Sequence, residues 1–194
     1  MDKPAYKISA SLLNNFAFYQ KFPSAETFKS VKENLVSVYR DTPATLEGKR
    51  FEQEVFEGKK GRLSDLFTGL ELQKWYNTTI DFGDFNVRIS GKMDGVRKDE
   101  SSIFDLKRVK KYYKGKYKTS VQHLLYFYIN PKAETFYYIA VTPDEEVHIE
   151  HYKRPDNEKL NKQVLDIIND YFRFLKENGL WETYTENQKS KANF

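Results

Sequence analysis

Cysteine is absent from the chain. This rules out disulfides, thiolate-held zinc and ordinary iron–sulfur clusters, and it fits a reducing compartment without requiring one. No stretch approaches the ~20 consecutive apolar residues that span a bilayer. The N-terminal MDKPAYKISASLL lacks the long apolar region of a signal peptide. The expectation is a cytoplasmic protein with no membrane association. There is no internal repeat, no low-complexity linker and no phosphate-binding P-loop, and no serine or cysteine nucleophile scheme has support. The histidines form no cluster: His148 and His151 stand three apart in an apparent strand and so point to opposite faces, and His123 is assigned no chemistry.

Aromatic residues, by contrast, are plentiful, with 14 Tyr and 15 Phe, whereas a disordered chain would be poor in them. The 194 residues suffice for one domain with a real core. Net charge is +4, from 32 Lys and Arg against 28 Asp and Glu. That balance permits a polyanionic partner without demanding one.

The first part, residues 1–75, reads as mainly helical. Ser9 or Ser11 can cap a helix through about Lys21, which Pro23 helps to end. A second helix is expected from about Ser24 to Tyr39, a third from near Thr42 to Phe56, and a shorter one from about Ser64 to Trp75. Gly48 is unusual inside a helix, where it costs ~1 kcal/mol relative to alanine, and close packing against another backbone would explain it. Residues 76–176 read as an αβ core. Phe85, Val87, Ile89, Gly91 and Met93 alternate with Asn86, Arg88, Ser90, Lys92 and Asp94, as in a half-buried strand. Turns at Asp81–Asp84 and Lys98–Ser101 make Thr78–Phe82 and Ser102–Val109 its antiparallel neighbours. A helix from about Thr119 to Ile129, strands near Thr135–Val141 and Val147–Tyr152, and a helix from about Asn157 to Lys176 follow. Residues 185–194 are expected to form a mobile tail. The whole reads as a single α/β domain with a mixed central sheet.

Two strand segments carry the chemistry. Residues two apart in a strand share a face, so Asp105 and Lys107 project together, and Asp94 can approach Asp105 across the hairpin. Converging carboxylates repel unless a proton or a cation joins them. Hard oxygen ligands suit Mg²⁺, which typically takes one or two carboxylates together with water and substrate phosphate. An adjacent ammonium can orient a water and offset charge developing on phosphorus. This set of groups suits phosphodiester hydrolysis. Taken alone, the Asp-x-Lys spacing is common and also describes a surface ion pair.

Four segments occur in order: Gly48-Lys49-Arg50-Phe51-Glu52, Gly91-Lys92-Met93-Asp94-Gly95, Asp105-Leu106-Lys107, and Gln122-His123-Leu124-Leu125-Tyr126. Together they resemble the PD-(D/E)XK nuclease superfamily, particularly its RecB-like and phage-type exonucleases. Met93 stands where the naming proline would be. The resemblance implies a restriction-endonuclease-like fold, a mixed central β-sheet flanked by helices, with a helical N-terminal part. It implies Glu52, Asp94, Asp105 and the backbone carbonyl of Leu106 as ligands of Mg²⁺ or Mn²⁺, Lys107 as the catalytic lysine, and Gln122 and Tyr126 as supports of the site. It implies no iron–sulfur cluster. No helicase motif is present, so any unwinding would come from a helicase or recombination partner.

Between Lys107 and Gln122 the chain is dense in cations and tyrosines, with no acid from Lys107 to Lys118. Arg108, Lys110, Lys111, Lys114, Lys116 and Lys118 can neutralise phosphates. Tyr112 and Tyr113 can stack on unpaired bases, or instead pack beneath the loop. The resulting expectation is a metal-dependent deoxyribonuclease acting on single-stranded DNA or duplex ends, an exonuclease in recombination, repair or phage DNA metabolism. A structure-specific endonuclease on the same fold and a catalytically silent DNA-binding module are the alternatives. Oligomeric state is not encoded legibly.

Overall fold

The computed structural model describes residues 3–35 and 43–192. Strand β1 (Ala5–Ser9) leads into α1 (Ala10–Lys21) and α2 (Ala25–Leu35), followed by α3 (Pro43–Phe56) and a single turn, α4 (Arg62–Asp65). The antiparallel run β2 (Glu71–Asp81), β3 (Asn86–Val96) and β4 (Ser102–Arg108) comes next. After α5 (Gln122–Ile129) come β5 (Thr135–Val141) and β6 (Val147–Lys153), then α6 (Asn157–Glu177) and α7 (Trp181–Ala192).

The six strands form one mixed sheet in the order β1-β3-β4-β5-β6, with β2 also paired to β3. Strand β5 shows why the sheet is covered on both faces. Its alternate residues Phe136, Tyr138 and Ala140 join the larger core, while Ile139 and Val141 join a smaller one. A strand buried on both sides reads as a continuous apolar run, as Thr135–Val141 does. The larger core is built by α1, α5 and α6. Leu160, Val164, Ile168 and Leu175 recur at helical spacing along α6 and are fully buried. Asp156 caps that helix by accepting a 2.8 Å hydrogen bond from the Lys159 N–H. On the opposite face Phe51, Val55, Leu63 and Phe67 from the α3–α4 region pack on Leu106, Ile139 and Val141.

The mixed α/β architecture and the alternation along β3 match expectation, with Val87, Ile89 and Met93 all buried. Elsewhere the structure departs from it. Strand β1 falls in the part expected to be mainly helical, with no strand expected there, yet it pairs in parallel with Asn86–Ser90. Ser9 ends β1 and also caps α1, accepting from the Leu12 N–H at 3.1 Å. Glu71–Trp75 is strand, not the end of a helix. Gly69 turns the chain at φ 78°, and the pairing of Glu71 with Val96 and Trp75 with Lys92 overrides the helical spacing. A Cβ at Gly48 would meet nothing within 4 Å, so no close backbone accounts for that glycine. The expected mobile tail is helical through Ala192. Tyr184 is buried, and Gln188 both donates to and accepts from the Lys7 backbone, at 3.1 and 3.2 Å. The expected helix ends at Tyr39 and Thr42 lie outside the described residues.

Candidate active site

Strand β3 has two neighbours on one edge. Strand β1 covers Asn86–Ser90 and β4 covers only Gly95–Val96. Between them Gly91–Asp94 has no strand partner on that edge, so β3 and β4 splay into a fork. Backbone groups left unpaired in a buried sheet need substitutes. The Tyr126 hydroxyl donates to the Lys92 carbonyl at 2.7 Å, and the Leu106 N–H donates to Asp94 Oδ2 at 2.8 Å. Gly91 makes room for this arrangement: a Cβ there would lie 2.6 Å from Tyr126 Cε1 and 2.9 Å from Ile129 Cδ1. The N–H and C=O of one residue in a strand face the same edge. The Leu106 carbonyl therefore opens onto the fork beside Asp94.

Asp105 lies deepest, at 2% exposure. Lys107 Nζ sits 3.0 Å from its Oδ1 and 2.8 Å from its Oδ2, and Gln122 Nε2 donates to Oδ1 at 2.7 Å. Oδ2 accepts no aligned hydrogen bond and is sealed from solvent. Burial, followed by the charge of Asp105, holds the Asp94 carboxyl up to about 7, with Glu52 adding to the same effect. Burial also raises Asp105, against the pull of Lys107 and the Gln122 hydrogen bond. For Lys107 burial opposes the charge, but Asp105 and Asp94 outweigh it and hold the ammonium protonated beyond its ordinary range. The fork thus carries excess negative charge that a single lysine only partly balances.

Glu52, on α3, stands at the margin. Its Oε1 accepts from Gln73 Nε2 at 2.7 Å, and Gln73 Oε1 accepts from Lys92 Nζ at 2.8 Å. Gln73 faces Asp94 in register, and the β2–β3 ladder skips it. Its φ of 52° is left-handed, uncommon for a residue other than glycine. Nothing in the local sequence marked Gln73, because its meaning depends on the strand beside it and the helix above. Among the described residues no three His, Asp or Glu side chains already form a tight ion cage. The donor chemistry nonetheless suits a hard divalent cation: one buried carboxylate and one partly buried, an Asp105 oxygen with no aligned hydrogen-bond donor, and the Leu106 carbonyl edge.

The basic segment divides in two. Arg108 is committed to structure: it donates to the Thr142 carbonyl at 2.6 Å and lies 4.6 Å over the Phe51 ring. Tyr112 is packed as well, stacked 4.1 Å from His148 and donating to Glu150 at 2.8 Å. Lys110, Lys111, Tyr113, Lys114 and Lys118 are exposed, and Lys116 is half-buried. Glu150, which the sequence did not single out, organises the loop. It accepts from the backbone N–H of Gly115 at 2.8 Å and of Lys116 at 3.1 Å, and its other oxygen accepts from Tyr152. These hydrogen bonds overcome its burial and hold its carboxyl below the usual range. Its inward place in the alternation of β6 was the only available signal.

No protein-family model matches the chain, and no curated protein does. Solved structures do match. An alkaline exonuclease from Laribacter hongkongensis, in its complex with dAMP, is 15% identical with a TM-score of 0.55, over 96% of this chain and 93% of its own. A candidate exonuclease from Eubacterium rectale is 16% identical with a TM-score of 0.56, over 90% and 82%. At such identities the likeness is one of fold: the open mixed sheet flanked by helices is an architecture that exonucleases use. Among the described residues no helix is long and apolar enough to cross a membrane.

Proposed function

We propose that the chain is a metal-dependent deoxyribonuclease of the PD-(D/E)XK type, working as an exonuclease on DNA ends in recombination, repair or phage DNA metabolism. The observation that carries the proposal is the convergence of Asp94, Asp105 and Lys107 at the strand fork, with Asp105 Oδ2 buried and lacking an aligned donor. Asp94, Asp105 and the Leu106 carbonyl would hold Mg²⁺ or Mn²⁺, with Glu52 completing the set once released from Gln73. When bound, the ion supplies Lewis-acid polarisation of the phosphoryl group and charge stabilisation at the leaving oxygen.

The remaining work belongs to the chain. Lys107 Nζ orients the attacking water and offsets charge on the equatorial oxygens. Gln122 fixes the Asp105 carboxylate and Tyr126 keeps the fork open. The exposed lysines of the basic loop hold the phosphate backbone. Water adds to phosphorus, releasing a proton to solvent, as the bond to the 3′ oxygen breaks; that oxygen takes up a proton from solvent, leaving a 5′-phosphate and a 3′-hydroxyl. The preference for ends is supported by the exonuclease description of the Laribacter neighbour, which carries dAMP.

End-labelled linear DNA and closed circular DNA, each with and without Mg²⁺, provide the test. The expected result is loss of linear DNA from its ends with circles intact. Nicked circles would identify an endonuclease, and a mobility shift without cleavage would identify a binding module. Asp105→Asn should abolish cleavage while DNA affinity stays within a few-fold. Full activity in that variant would refute the site.

A further inference from the structure

A small cavity at the fork, lined by Asn14, Phe18, Lys107 and Gln122, lies against a second one between α1 and the basic loop. The two share Asn14 and Phe18, so they form one groove leading away from Lys107. Its far walls are Lys21 and Phe22 on the α1 side and Tyr113 and Lys116 on the loop side. No carboxylate lines either part. Lys21 Nζ donates to Thr119 Oγ1 at 2.6 Å, tying the two walls together.

The rings in this groove are not there to build the core. Phe18, Phe22 and Tyr113 are 52%, 51% and 62% exposed, an unfavourable way to display large apolar surface unless something covers it. Phe18 and Phe22 stand four residues apart with centroids 5.1 Å from each other. A lysine accompanies each wall, Lys21 at 5.3 Å from the Phe22 ring and Lys116 at 5.9 Å from the Tyr113 ring. Flat rings interleaved with cations along a groove free of acids suit a ligand with alternating π-faces and negative charges. Duplex DNA hides its base faces; an unpaired strand presents them.

We propose that this groove is the track for an unpaired DNA strand, its phosphates running along Lys107, Lys116 and Lys21 and its bases stacking on Phe18, Phe22 and Tyr113. The assignment rests on the nuclease reading of the fork and adds to it the form of the substrate: the strand enters or leaves the fork single. The sequence pattern alone points to stacking in the loop, at Tyr112 and Tyr113. The structure adds the half of the surface supplied by α1.

The test is anisotropy of a labelled oligo-dT and of a blunt duplex in EDTA, where no cleavage intervenes. Stacking is worth ~1–3 kcal/mol per base, so removing one ring weakens binding roughly 5- to 150-fold. Phe18→Ala/Phe22→Ala should lower oligo-dT affinity at least tenfold while duplex affinity changes less than threefold, and Phe22→Trp should retain oligo-dT binding. Both phenylalanines are half-exposed, and circular dichroism checks that the variants fold. Tyr113→Ala, on the opposite wall, provides an independent second variant expected to weaken oligo-dT binding at least fivefold. Unchanged oligo-dT affinity in both variants, or an equal loss for duplex, overturns the track. The outcomes separate the two readings. A wild-type protein that never cuts DNA, but whose ring variants lose single-strand binding, sinks the nuclease and keeps the track. Normal cleavage with indifferent ring variants does the reverse.

Discussion

In the absence of a cation, the fork should destabilise the fold that contains it, and Asp94→Asn exposes the effect. An Asp94 carboxyl held at about 7 in the fold, against an ordinary 3.8, binds its proton more tightly folded than unfolded. The sign follows from linkage: stability declines as pH rises from about 4 through about 7, because the unfolded chain ionises first. At about 1.4 kcal/mol per tenfold difference in proton affinity, the full effect above pH 7 is roughly 4 kcal/mol. Asp94 keeps partial solvent contact and shares its titration with Asp105, so about 2–4 kcal/mol is the expected size. Asparagine retains an oxygen for the 2.8 Å hydrogen bond from the Leu106 N–H and removes the charge. Urea unfolding in EDTA should therefore show the variant more stable by that amount at pH 8, with less than half the gain at pH 5. Saturating Mg²⁺ should stabilise the wild type and leave the variant nearly unmoved. A variant equal to or weaker than wild type at pH 8 without metal would refute the electrostatic account of the fork.

Replacing Lys110, Lys111 and Lys114 together with alanine should weaken DNA binding and reduce the slope of log K against log salt by roughly 2 to 3, measured by salt titration. Gly91→Ala should displace the Tyr126 ring that a Cβ would meet at 2.6 Å, lowering stability by about 1–3 kcal/mol and cutting cleavage more than DNA binding, as read by thermal melts alongside the gel assay. His123 is buried and burial pushes its pKa down to about 4, so it stays neutral in the fold while the unfolded chain protonates. It should lower stability by up to about 3 kcal/mol as pH falls from 6.5 to 4, a loss that His123→Phe should reduce in urea titrations.

What the sequence made legible was periodic or clustered. The alternation through β3 marks which residues enter the core, and the Asp105-x-Lys107 spacing alone puts both groups on one face. Long-range pairing was illegible. The Ala5–Ser9 segment is too short to show a period, and its partner Asn86–Ser90 lies far along the chain. Glu71–Trp75 carried helical spacing from the preceding turn, and only its antiparallel neighbour decided for strand. Gln73 and Glu150 are single polar residues whose roles appear when the opposite strand, helix or loop is brought to them. The basic segment looked uniform in sequence, yet the fold commits Arg108 and Tyr112 to packing and leaves Tyr113 and several lysines to solvent. Composition cannot separate those two fates, since both depend on what lies beneath the loop.

The clasp between Gln188 and the main chain of Lys7, with Tyr184 donating to the same carbonyl at 3.2 Å, has a kinetic meaning. Strand β1 and helix α7 hold each other, so neither is secure until α7 has left the ribosome. Ser9, which starts the helix carrying Phe18, sits at the end of that strand. Local unfolding should then spread as one cooperative unit from α7 through β1 to the base of α1. Nascent chains would remain without a finished groove, and hence without grip on nucleic acid, until α7 has emerged and docked.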